Sequence, residues 1–190
     1  MRTVLGLGNP GAEYEGTRHN AGFLLLDHLA RRWHLPAFGR GERSRSCEGR
    51  VHGRGVRLVK PQTYMNRSGA ALAPLLVPGF DPASDLLLVV DDVAIPTGAF
   101  RFRGAGSSGG HNGLKSIEAT LRRQDYPRLR IGVGPKPVGA DLSDFVLAPF
   151  SREERELVEA QFDAMADGVE CWLDEGIERA MNRFNRGREP

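Results

Sequence analysis

The chain has 190 residues, of which 40% are hydrophobic, and contains no long apolar stretch. That length suits one domain with a sizeable core, and without a long apolar stretch no membrane-spanning helix is expected. Cys47 and Cys171 stand alone, without disulfide or metal-knuckle spacing, and two buried thiols are the expectation.

The formal net charge is only +2, but it is unevenly spread. Residues 31 to 60 carry nine Lys or Arg against two acids, residues 101 to 136 carry eight against two, and residues 151 to 178 carry ten acids against Arg152 and Arg155. Two basic regions opposed by one acidic stretch suggest a polarised molecule that orients toward a polyanion such as nucleic acid.

In chain order, the first stretch is VLGLGNPGAEYEGTRHNAGF, residues 4 to 23. It enters apolar strand at once, with no basic, apolar and small-residue leader, so a cytoplasmic protein is expected. Val4, Leu5 and Leu7 suit a short buried strand, and Gly6, Gly8, Pro10 and Gly11 then force the backbone along a tight path past Asn9 to His19. Gly6, Gly8 and Gly11 also fit a dinucleotide fingerprint. That fingerprint needs a helix starting at the third glycine and an acid closing the next strand about 20 residues on. Here the helix is delayed to about Asn20, and Asp27 falls inside it, so no dinucleotide is expected.

Residues 20 to 33 have helical apolar spacing, with His28 and His34 read as surface or packed histidines. CEGRV and VRLVK read as a hairpin turning at Gly53-Arg54-Gly55. KPQTYMNRSG follows, where Asn66 suits a helix cap but Tyr64, Met65 and Asn66 also stand together at a strand end, the usual ligand position of an open α/β sheet. LLLVVDDVAIP, residues 86 to 96, reads as a central strand buried on both faces with Asp91 at its end. Paired aspartates there suit magnesium, but no third acidic ligand stands near, and no metal is expected. Residues 99 to 103 alternate as a strand carrying Arg101 and Arg103, then a glycine-serine loop leads to a helix starting near His111-Asn112, whose free N–H groups face an anion readily. RLRIGVG, residues 128 to 134, is the last strand, with Arg128 and Arg130. Residues 135 to 150 hold too much Pro and Gly for regular structure and read as a lid or loop. From Ser151 the chain is helical to about residue 185, opened by a Ser151–Glu154 capping box and carrying an apolar stripe with Leu157, Phe162, Met165, Val169, Trp172 and Leu173.

Strands alternating with helices predict an α/β fold: one domain over residues 1–190, three layers α/β/α, with a mostly parallel, partly mixed central sheet. The strand-end inventory of His19, Asp91, Asn9, Asn66, His111 and Asn112 holds two histidines, a carboxylate and three amides without a nucleophile elbow. It suits a hydrolase that activates water.

GLGNPGAEYEGTRHNAGF, KPQTYMNRSG, VVDDVAIPTG and GGHNGLKSI together, in that order, resemble bacterial peptidyl-tRNA hydrolase, from the first strand to the C-terminal helix. The resemblance implies cleavage of the ester between a peptide and the tRNA 3′ ribose, with His19 as general base and Asp91 holding it. Asn9, Asn66 and Asn112 would bind the peptide and terminal nucleotide, with Asn9 telling an N-blocked peptide from a free aminoacyl group. Tyr14, Tyr64 and Met65 would line the site beside His111, and Arg103 and Arg130 would grip a tRNA phosphate. The partner is then peptidyl-tRNA, the enzyme a cytoplasmic monomer, and no cofactor is implied. A catalytically silent RNA-binding protein on the same scaffold is the alternative.

Overall fold

The computed structural model describes residues 1–185; the last five of the expected 1–190 domain lie outside them. In chain order the elements are β1 (Arg2–Gly6), α1 (Ala21–Arg32), β2 (Gly39–Arg40), β3 (Ser44–Val51), β4 (Arg54–Pro61), α2 (Gly69–Leu72), α3 (Pro82–Asp85) and β5 (Leu86–Pro96). They continue with β6 (Phe100–Arg103), α4 (Asn112–Leu121), β7 (Arg128–Gly134), α5 (Leu142–Leu147), α6 (Arg152–Glu159), α7 (Phe162–Glu175) and α8 (Ile177–Phe184).

One sheet runs in the order β2-β3-β4-β1-β5-β7-β6. The four inner strands β4, β1, β5 and β7 are parallel, while β2, β3 and β6 add antiparallel edges. The three-layer, partly mixed sheet expected from the sequence is therefore present. Burial on both faces explains the unbroken apolar run of β5: Leu87 and Val89 join the core with α1 and α7, and Leu86, Leu88 and Val90 join the core with Leu72, Leu114 and Ile117 of α2 and α4, as the two-residue period of a strand requires.

Several expectations need correction. The hairpin turns at His52-Gly53, and Arg54 and Gly55 already pair with β3. α1 stops at Arg32, and His34 has φ 51°, outside the helix. Residues 135 to 150 are not all irregular: between Gly139 and Pro149 the chain has no helix breaker, and the Asp141 carboxylate accepts from Asp144 N at 2.9 Å to cap α5. The C-terminal part is three helices, interrupted before Phe162 and at Gly176 (φ 93°). The Ser151–Glu154 capping box opens α6 as expected, but Leu157 is 53% exposed and leaves the apolar stripe.

The charges also resolve differently. α7 lies against the first basic region and neutralises part of it: Arg32 pairs with Asp167 and Glu170, and Arg54 and His52 with Asp174. Arg57 pairs with Glu48, and Lys60 with Asp27. Around the glycine-rich loop, by contrast, Arg101, Arg103, Lys115 and Arg122 have no carboxylate partner among the described residues. In the first region Arg31, Arg40, Arg45 and Arg50 also lack a carboxylate partner among the described residues, so that region is only partly neutralised, and it is the second region that borders the glycine-rich loop.

Candidate active site

The connection from β1 passes through α1 to β4 on one side, and β4 then returns across to β5 on the other. The carboxyl end of β1 is thus a switch point, where the two crossovers part and leave a crevice. A cleft of about 960 Å³ opens there.

Asp91 stands on its floor, 3% exposed. It is not at the end of β5 as the sequence suggested. β7 keeps pairing with β5 through Asp92, whereas β1 ends with Gly6 opposite Val89. Asp91 therefore lies just past its shorter neighbour, uncovered by that neighbour's termination.

Two histidines converge on this carboxylate. His19 lies on a 3-10 turn, Arg18–Asn20, that leads into α1, and its Nδ1 is 2.9 Å from Asp91 Oδ2. The turn reaches so far over the sheet because α1 packs backbone to backbone: a Cβ on Gly22 would lie 2.6 Å from Val89 O and 2.7 Å from Leu7 O. His111 caps α4, its Nδ1 accepting from Gly113 N at 3.0 Å and Leu114 N at 3.3 Å, while its Nε2 is 2.8 Å from Asp91 Oδ1. A nitrogen that accepts two N–H groups carries no proton, so in the neutral ring Nε2 carries it and donates to Asp91. Burial alone would push the Asp91 carboxyl up; the charges and hydrogen bonds of His111 and His19 outweigh it and hold the carboxyl well below the usual carboxylate range. With Asp91 ionised, His19 donates from Nδ1 and keeps Nε2 as a base.

The donor atoms of His19, Asp91 and His111 lie within 4.8 Å of one another. A cation there would need a lone pair on His111 Nε2, which the helix cap keeps protonated. Asp92 offers no help: it accepts from Ala94 N at 2.8 Å and pairs with Arg130. The cluster is arranged to share protons.

Asn9 is 6% exposed, and its amide orientation is determined. Oδ1 accepts from Met65 N at 2.8 Å, so Nδ2 remains to donate toward the cleft. Asn20 holds the Asn9 backbone, Oδ1 accepting from Asn9 N at 2.9 Å and Nδ2 donating to Asn9 O at 3.0 Å. Asn20 is the N-cap of α1 yet makes no capping bond; its side chain is used on Asn9 instead. Sequence reasoning missed this residue, although an asparagine at a helix start beside a candidate base was visible.

The family Peptidyl-tRNA hydrolase matches residues 3–190. A protein of Gemmatimonas aurantiaca with that name is 49% identical over 191 residues, covering 98% of this chain and all of its own. One of Carboxydothermus hydrogenoformans is 45% identical over 187 residues, with 98% and 100% covered. The crystal structure of peptidyl-tRNA hydrolase from Acinetobacter baumannii superposes with a TM-score of 0.88 at 32% identity, covering 98% of this chain and 95% of that one.

This chain belongs to the peptidyl-tRNA hydrolase family.

The other residues singled out by that family resemblance all reach the same cleft: Tyr14, Tyr64, Met65, Asn66, Asn112, Arg103 and Arg130. Asn66 is not a helix cap; it is exposed inside a 3-10 turn, Met65–Arg67. Met65 presses against the start of α4, where a Cβ on Gly113 would meet its Sδ at 2.6 Å. This contact sets the Tyr64–Asn66 loop beside Asn112. The two arginines are not equivalent. Arg130 is held by Asp92. Arg103 has no carboxylate partner among the described residues, and its pKa is lowered by burial and by the charges of Arg101 and Arg130, as expected of a cation that lacks an anion.

Proposed function

We propose that this protein hydrolyses the ester between a peptide and the 3′ ribose of tRNA, with His19 as general base. The observation that carries the reading is the Asp91 bridge, which leaves one histidine nitrogen basic and the other ring locked as a donor. His19 Nε2 takes a proton from a water whose oxygen attacks the ester carbonyl. The oxyanion forms beside the Asn9 Nδ2–H group, a neutral donor held in place before the reaction. As the C–O bond breaks, the proton on His19 Nε2 passes to the departing ribose 3′ oxygen, which restores the base.

Asn9 bears on selectivity as a donor. With Oδ1 taken by Met65 N, Asn9 cannot accept from a blocked peptide N–H; it donates, and suits the acyl carbonyl that a blocked substrate has and a free aminoacyl ester lacks. A cationic α-amino group would meet a donor and lose its water. Arg103 supplies the main grip on a tRNA phosphate, and the basic face around it extends that grip. The free thiols of Cys47 and Cys171 suit a reducing compartment, in keeping with a cytoplasmic enzyme. The segment 135–150, with α5, acts as a lid over the peptide side of the cleft.

Purified protein incubated with N-acetyl-aminoacyl-tRNA should release N-acetyl amino acid and intact tRNA, and should act poorly on the unblocked ester. Tight tRNA binding without turnover would favour the silent RNA-binding alternative and remove this reading.

A further inference from the structure

Arg18 precedes the proposed base and points away from its chemistry. Its guanidinium lies 4.2 Å from the centre of the Phe145 ring, donates to Phe145 O at 3.0 Å and pairs with Glu154 at 2.8 Å. The side chain is 12% exposed, and its Nε–H is buried with no acceptor among the described residues. A buried unsatisfied donor is unfavourable unless the other contacts of the side chain hold it there. The main chain repeats the connection: Arg18 N donates to Ala148 O at 3.2 Å, Phe150 N to Gly16 O at 3.0 Å, and Thr17 bridges Pro149.

These contacts join two parts of the cleft that the chain separates by more than a hundred residues. One is the turn that carries His19. The other is α5, which supplies Leu142, Val146 and Leu147 to the cleft wall. The join lies at the C-terminal end of α5. Its N-terminal approach makes no such bond to the turn that carries His19 among the described residues, and Val138 there is fully exposed. A wall pinned at one end keeps its distance from the base only as well as the pin does.

We propose that Arg18 is a positioning residue that holds the apolar α5 wall at a set distance from His19, and so determines how well a large side chain beside the scissile ester is accepted. The proposal rests on the ester-hydrolase reading above. A glycyl ester has no side chain to reach α5, whereas a phenylalanyl ester does. Loss of the pin therefore affects the second substrate and spares the first.

Arg18→Met keeps an apolar stem over Phe145 and removes the donors and the charge. On N-acetyl-phenylalanyl-tRNA the expected result is a KM raised about tenfold with kcat within about twofold, the scale of one misfitted apolar contact. On N-acetyl-glycyl-tRNA both constants should stay within about twofold of wild type. Arg18→Lys, which can still reach Glu154, should recover part of the loss. If Arg18→Met does not fold, Phe145→Leu, which removes the ring under the guanidinium, is measured on the same two substrates with the same expectation. Equal losses on both substrates would overturn the proposal and put Arg18 in the service of the base itself. A lower Tm with both substrates unaffected would also overturn it, leaving a purely structural tie. Wild-type protein inactive on both esters would refute the hydrolase reading as well, an outcome separate from either of these.

Discussion

Replacing Asp91 by Asn tests the bridge most directly, because the new amide offers one acceptor where the carboxylate offers two. Both histidine N–H groups now donate to Asp91, His19 from Nδ1 and His111 from Nε2. His111 cannot exchange its tautomer without losing the backbone N–H groups of Gly113 and Leu114 that its Nδ1 accepts. The amide oxygen of Asp91→Asn must therefore turn to His111, and its NH2 faces His19. His19 then accepts at Nδ1 and carries its proton on Nε2, the nitrogen that should take one from water. A base in the wrong tautomer costs up to about 10⁴-fold in other hydrolases built on a carboxylate-oriented histidine, and the general-base contribution alone is about 10²- to 10⁴-fold. The expected fall in kcat is of that size, about 3–5.5 kcal/mol in the barrier. Single-turnover hydrolysis of N-acetyl-phenylalanyl-tRNA at saturating enzyme measures it, with tRNA affinity as a control that should not change. Asp91→Asn within about tenfold of wild type would refute both the tautomer argument and the role of His19 as base.

Asn9→Asp replaces the donor that faces the cleft with a charged acceptor, so the preference for N-acetyl-aminoacyl-tRNA over aminoacyl-tRNA should narrow by about tenfold or more; an unchanged ratio would show that selectivity lies elsewhere. Arg103→Ala should weaken tRNA binding and lower the salt slope by about 1, whereas Arg130→Ala, which removes a cation already paired with Asp92, should do so less; equal effects would mean that substrate displaces Asp92. His52 has its pKa raised by the hydrogen bond and charge of Asp174, with Glu170, Arg54 and Arg32 also about it. Its stabilisation is complete below the unfolded value of about 6.5 and is lost as pH rises through the higher folded value. The Tm deficit of His52→Gln should therefore be larger at pH 6 than at pH 9, and a deficit growing with pH would contradict the sign. Exhaustive chelation should leave hydrolysis unchanged, and activity lost under chelation and restored by zinc would make His19, Asp91 and His111 a metal site.

Local pattern was enough for the elements whose burial is one-sided or complete. The unbroken apolar run of β5, the glycine-rich exit from β1 and the Ser151–Glu154 box each carry their cause within a few residues, and four short motifs in order carried the family. Tertiary structure decided what depends on partners distant in the chain. Nothing near Asp91 shows that β1 ends one strand over and uncovers it, or that His111, twenty positions on, gives its second ring nitrogen to a helix cap and so must donate to Asp91. The orientation of Asn9 depends on Met65, and the commitment of Arg130 depends on Asp92. Which cations of the first basic region are already paired was decided by α7 lying against Arg32 and Arg54. Backbone propensity and hydrophobic period are properties of adjacent residues, so the sequence reports them. A proton's location, an amide's direction and a free charge are set by which groups meet across the fold, and only the folded chain decides them.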